Sequence, residues 1–218
     1  MKKLIGLVLT MAAITFAGCS EQVDKSARYV FKDRTITDYL EAHDDYKTYV
    51  GLLKSTPVSS MSGTKVFQLL SARGNYSVFA PTNAAIQTYL DSLYSKGTIS
   101  EPSWDGFSDS TVLDSIRKVI VYNSVIDTGD DNVRYETASL PTTQNAEIPY
   151  PNMYDRKLVV HYCDDPDSIL INNAPIDPRN KDIPAINGVI QSMSTVVAPS
   201  NNTMSFLLND IINSKREG

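Results

Sequence analysis

Eight residues, Tyr76-Ser77-Val78-Phe79-Ala80-Pro81-Thr82-Asn83, constrain the fold of this chain more than any other stretch. Tyr76–Ala80 is a short run of β-forming residues. Pro81 stops it, because proline has no N–H to give to a sheet ladder. Thr82 or Asn83 is then placed to cap the helix that follows. Far downstream, Ile186-Asn187-Gly188-Val189-Ile190 reads as an Asn-Gly turn opening a second apolar strand.

The segments between and around these two set the fold class. Thr35 and Thr37 are candidate N-caps, with Asp38 in the first turn. Ile36, Tyr39, Leu40, His43, Tyr46, Val50 and Leu53 recur at helical spacing, with a break near Asp44-Asp45 and an end before Pro57. Residues 55–64 are rich in Ser, Thr, Gly and Pro and read as a loop, and Val66–Leu70 as a short helical turn. Asn83–Tyr94 and Thr111–Tyr122 are helical, the second apolar nearly all round in its C-terminal half. Residues 97–110 form a loop carrying the only tryptophan, Trp104. From Val125 onward short β-rich runs alternate with turns, at 133–139, 146–150, 157–163, 168–173 and 187–197. Helices first and strands later predict an α+β domain, with helices on a mixed, mostly antiparallel sheet.

In this order the segments resemble the fasciclin-like (FAS1) domain. Tyr76–Asn83 resembles the family's first conserved segment, carried by Phe79, Ala80, Pro81, Thr82 and Asn83. Tyr122-Asn123 stands where the family has a Tyr-His pair, and Ile171-Asn172-Asn173-Ala174 resembles its V-N-G-A turn. Asp182-Ile183 resembles an Asp-Ile element, and Asn187-Gly188-Val189-Ile190 with Val196-Val197-Ala198-Pro199 resembles the closing strand. The resemblance implies a single domain over residues 35–199, extracellular and adhesive in role, non-catalytic, with these positions structural. Asn123 and Gln191 replace two family histidines. An amide can still donate the hydrogen bond, but pH sensitivity there is expected to be lost.

The N-terminus predicts where the domain works. Lys2-Lys3 precede an apolar run from Leu4 to Phe16, too short for a confident membrane span, and Phe16-Ala17-Gly18-Cys19 resembles a bacterial lipobox. Residues 1–18 are then a signal peptide, Cys19 carries the lipid and contacts the membrane, and residues 19–34 form a tether. Several acyl chains, at about 0.8 kcal/mol per buried CH₂, anchor a protein stably. The polar, partly acidic stretch after Cys19 resembles the surface-export signal of Bacteroidetes-type lipoproteins, so surface display on the outer membrane is expected over the periplasmic face. With Cys19 acylated, Cys163 has no partner for an internal disulfide. Residues 200–218 read as a terminal helix or tail, or as the start of a second domain.

Composition narrows the partners. Loss of residues 1–18 removes two lysines and no acids, moving the formal charge from −5 to −7. An acidic body argues against nucleic acid. Asp127-Thr128-Gly129 spells an aspartic-protease triplet, but Asp130-Asp131 would disfavour a dyad sharing a proton, and a solvated turn is the better reading. Two distant histidines, His43 and His161, with Cys163, fall short of a zinc site. His161 and Cys163 are placed on one face of a strand. Asp164-Asp165-Pro166-Asp167 lacks the alternating spacing of a calcium loop. No cofactor or metal is expected. Asn180-Lys181-Asp182-Ile183 resembles a motif linked to integrins in animal members, a poor fit to a bacterial lipoprotein. Asp-Ser followed by Leu, Thr or Ile, at Asp91, Asp109, Asp114 and Asp167, resembles an O-glycosylation signal, with Ser110 the favoured acceptor because it reads as loop.

The expectation is a lipid-anchored fasciclin-like module for adhesion or for binding an unknown protein or glycan. The alternative is an accessory subunit of an outer-membrane polysaccharide-uptake or surface assembly.

Overall fold

The computed structural model describes residues 34–163 and 168–197. Readings that fall on Cys19, the tether, Asp164–Asp167, Ala198-Pro199 and the tail lie outside the described residues.

Helices come first. Helix α1 spans Ile36–Glu41, a 3₁₀ turn Asp44–Tyr46, α2 Lys47–Ser55 and α3 Val66–Ser71. Strand β1 (Tyr76–Pro81) leads into α4 (Asn83–Ser95), a 3₁₀ turn at Trp104–Gly106 and α5 (Ser110–Asn123). The expected break at Asp44-Asp45 is the 3₁₀ turn. Thr35 caps α1 in a reciprocal box with Asp38. Thr82, not Asn83, caps α4 by accepting from the Ala85 N–H. Asn83 serves the first helices instead. Its Oδ1 accepts from the Thr48 N–H at 2.8 Å, and its Nδ2 donates to the Asp44 carbonyl at 2.7 Å.

The strands after α5 are β2 (Val125–Asp127), β3 (Ala146–Glu147), β4 (Val159–Tyr162), β5 (Ile169–Ile171), β6 (Ala174–Pro175), β7 (Ile183–Ala185) and β8 (Gly188–Met193). They form two four-stranded sheets, ordered β2-β1-β8-β7 and β3-β4-β5-β6. Only β1 and β8 pair in parallel, in register from Tyr76 opposite Gly188 to Pro81 opposite Met193. Every other named pair is antiparallel. The bridge between Ile176 and Met193 joins the two sheets.

The two signature strands are therefore neighbours at the centre of the first sheet. All residues of β1 and β8 are buried, as strands covered on both faces must be. Val78, Ala80 and Ile190 turn to the helices, in a core with Leu40, Tyr49, Leu53 and Ile120. Phe79 and Met193 turn the other way, into a second core with Ile126, Leu158, Val160 and Ile171. The alternation of side chains along a strand lets one sheet divide the two cores.

Three expectations need correction. Residues 133–139 form no strand: they run irregularly into a 3₁₀ turn at Thr137–Ser139. Side chains take their backbone groups, since Ser77 Oγ accepts from the Tyr135 N–H and Thr128 Oγ1 donates to the Val133 carbonyl. The closing strand ends at Met193, not at residue 197. Ser110 is not in a loop: it is the first residue of α5, exposed, with Asp109 as the cap accepting from the Thr111 N–H at 2.8 Å.

Candidate functional site

The signature residues lie at three buried polar junctions. At the first, Asn187 is 3 % exposed and its side chain makes three hydrogen bonds to backbone. Oδ1 accepts from the Ile36 N–H at 3.0 Å, and Nδ2 donates to the Leu70 and Ala72 carbonyls at 2.7 and 2.8 Å. It joins the β7–β8 turn to the start of α1 and the end of α3. Gly188 follows without a positive φ. A Cβ there would stand 2.1 Å from the Tyr76 carbonyl oxygen, so close approach of β1, and not turn geometry, demands glycine.

At the second junction Asp182 adopts φ 55°. Its carboxylate accepts from the Thr137 N–H and the Gln191 amide at 2.6 Å each, and from the Thr137 hydroxyl at 2.5 Å. Burial works to raise its pKa; these hydrogen bonds outweigh that and hold it below the usual aspartate value. Gln191 also accepts from the Asp182 N–H and donates to the Tyr135 carbonyl. Ile183 opens β7 beside it, and Val189 and Ile190 lie in β8.

At the third, Asn123 Nδ2 donates to the Val119 carbonyl at 2.8 Å while its Oδ1 accepts from Asn152 Nδ2 at 3.1 Å. Its neighbour Tyr122 donates its hydroxyl to the Pro57 carbonyl at 2.7 Å. That bond ties α5 to the hairpin between α2 and α3, which closes at the Pro57–Lys65 bridge and at Val58 N–H to the Thr64 carbonyl. Met61 is almost wholly exposed in that hairpin.

Between the hairpin and α5 lies a cleft of about 260 Å³, lined by Ser55, Thr56, Pro57, Lys65, Asp114, Arg117 and Lys118. Three cations and one carboxylate face it, on a chain whose formal charge is −5. Arg117 pairs with Asp114 at 3.3 Å, and its guanidinium carbon lies 6.0 Å from the centre of the Trp104 ring. Lys65 Nζ donates to the Ser55 carbonyl. Thr56 is 3 % exposed, and its hydroxyl has no hydrogen-bond partner among the described residues. Sequence reading did not find this cleft, because Lys65 and the Arg117-Lys118 pair are far apart along the chain.

No family model matches the sequence, and no curated protein matches it. A solved structure does: a FAS1 domain pair from the insect cell adhesion molecule fasciclin I, with a TM-score of 0.53 at 15% identity over 76% of this chain. The chain has the FAS1 fold. It spans about half, 51%, of that domain pair.

Within the FAS1 fold the polar side chains of other sequence motifs are taken up locally. Asp127 is exposed at the end of β2 and accepts from the Gly129 N–H at 2.9 Å, as an Asx turn does. His43 stacks on Tyr39 with ring centres 4.0 Å apart and bonds the Tyr39 carbonyl. His161 bonds Asn145 on the second sheet, and Cys163 just beyond is exposed. Among the described residues, no group of three or more His, Cys, Asp or Glu could hold a metal ion, and no helix is long and apolar enough to cross a membrane.

Proposed function

We propose that this chain is an extracytoplasmic interaction module on the FAS1 fold, anchored to the outer membrane by lipid on Cys19 and displayed at the surface. It binds a protein or glycan and catalyses no reaction. The observation that carries this reading is the fold likeness to a domain pair of a cell adhesion molecule, joined to the lipobox-like Phe16-Ala17-Gly18-Cys19. The local ties of Asp127, His43 and His161 support the absence of catalysis, since each is held by its own neighbours and none faces a second reacting group.

The test is fractionation of cells expressing the chain with and without Cys19→Ala. The unaltered chain is expected in the outer-membrane fraction, with acyl label, and open to protease added to intact cells. Equal partition of the two forms would sink the anchoring. Co-purification from solubilised membranes separates the two roles: recovery of the chain by itself fits a free adhesive module, and a stoichiometric membrane partner replaces it with a subunit of a larger assembly.

A further inference from the structure

We propose that the cleft between the Pro57–Lys65 hairpin and α5 is a binding site for one acidic sugar residue, a ring bearing a carboxylate, sulfate or phosphate group. The site stands independently of how the chain is anchored.

Charge is the first argument. Lys65, Arg117 and Lys118 meet in the cleft, and only Asp114 opposes them. Asp114 holds Arg117 on one side while the Trp104 ring lies near it on another. A guanidinium oriented in this way loses less freedom on meeting an oxyanion. Lys118 has no ion-pair or hydrogen-bond partner among the described residues, so its charge is available to a ligand.

The second argument is independent of charge. A buried hydroxyl without a partner costs stability, and native structures seldom leave one. The Thr56 hydroxyl is such a group, while its backbone N–H and carbonyl are both used, with Leu52 and Val66. Thr56 lines the cleft. A ligand oxygen there completes it.

Size and the odd carboxylate choose the ligand. At about 260 Å³ the cleft lies just under the usual range for small-molecule pockets, about 300–1,000 Å³, which suits one ring and not an extended chain. Asp114 repels a bare anion but accepts from hydroxyls. A group that carries both a charge and several hydroxyls satisfies cations, carboxylate and Thr56 together.

Calorimetric titration of the full chain, purified in mild detergent, tests this with glucuronate, glucose 6-sulfate, glucose 6-phosphate, glucose and inorganic sulfate. At least one of the acidic sugars is expected to bind, and the three rank the charged group; glucose is expected to give no heat of binding. Lys118→Gln should weaken that sugar about fivefold, the scale of one exposed ion pair. Thr56→Val should weaken it, Thr56→Ser should retain it, and Lys96→Gln, on an exposed helix end, should leave it unchanged. The proposal is overturned if no acidic sugar binds more tightly than about 10 mM, or if glucose or inorganic sulfate binds equally well. Lys118→Gln without effect would overturn it too.

Discussion

The Tyr122 hydroxyl donates to the Pro57 carbonyl at 2.7 Å, so α5 holds one wall of the cleft whose other wall it supplies. Burial raises the Tyr122 pKa, keeping the phenol protonated and a donor through the neutral range. Tyr122→Phe should remove this bond and keep the ring, which packs edge-on against Tyr154 at 5.1 Å. The expected loss is about 1 kcal/mol, the net worth of one hydrogen bond, read as a lower urea midpoint with unchanged slope.

Asn187 carries a larger share, because three backbone groups depend on one amide. Asn187→Ala strands the Ile36 N–H and the Leu70 and Ala72 carbonyls in a junction water scarcely reaches. Each stranded group costs about 1–3 kcal/mol, less what relaxation recovers. A loss of about 3 kcal/mol or more is expected in chemical denaturation. Less than about 1 kcal/mol would mean that α1 and α3 dock without it.

Gly188→Ala tests the closeness of the parallel pair. The new methyl would meet the Tyr76 carbonyl oxygen at 2.1 Å and Ile36 Cδ1 at 2.8 Å. The isoleucine can turn aside. The carbonyl belongs to β1, which is paired on both edges, and cannot. Overpacking of this kind costs about 1–3 kcal/mol and occasionally more, and the rigid neighbour places Gly188 at the upper end. The melting temperature of the full chain should fall by several degrees. A variant as stable as the parent would show that the strands can part.

Much of this fold was legible because local signals and tertiary demands agree. Pro81 and Thr82 end a strand and cap a helix whatever surrounds them. The run 133–139 was misread because its β-forming residues serve another purpose. Arg134 donates to the Ala185 and Ile186 carbonyls across the β7–β8 turn, and Tyr135 is fixed by Ser77 and Gln191. Side chains distant in sequence supply what a neighbouring strand would have given, and no local pattern reports that. Ser110 was misplaced for a smaller reason: Asp109, not Thr111, begins the helix. The cleft was illegible outright, since its cations come from two elements that only folding brings together.

The loss of stability in acid should run through Asp182. With its pKa held below the usual value, the folded state binds the proton less readily than the unfolded chain, whose aspartates titrate near about 3.9. Its contribution is therefore complete above that pH and disappears as the pH falls through the folded-state pKa. Asp182→Asn removes the titration and suits the backbone, since asparagine tolerates the left-handed conformation at φ 55°. The variant should be less stable than the parent at pH 6. The gap should narrow below about pH 4 and close once the parent carboxyl is protonated. Asn123 and Gln191 supply neutral amides at the other two buried junctions, so neither adds a step near pH 6. Denaturant midpoints of both proteins from pH 7 to pH 2 measure this directly, and a gap that stays constant across that range would remove Asp182 as the source.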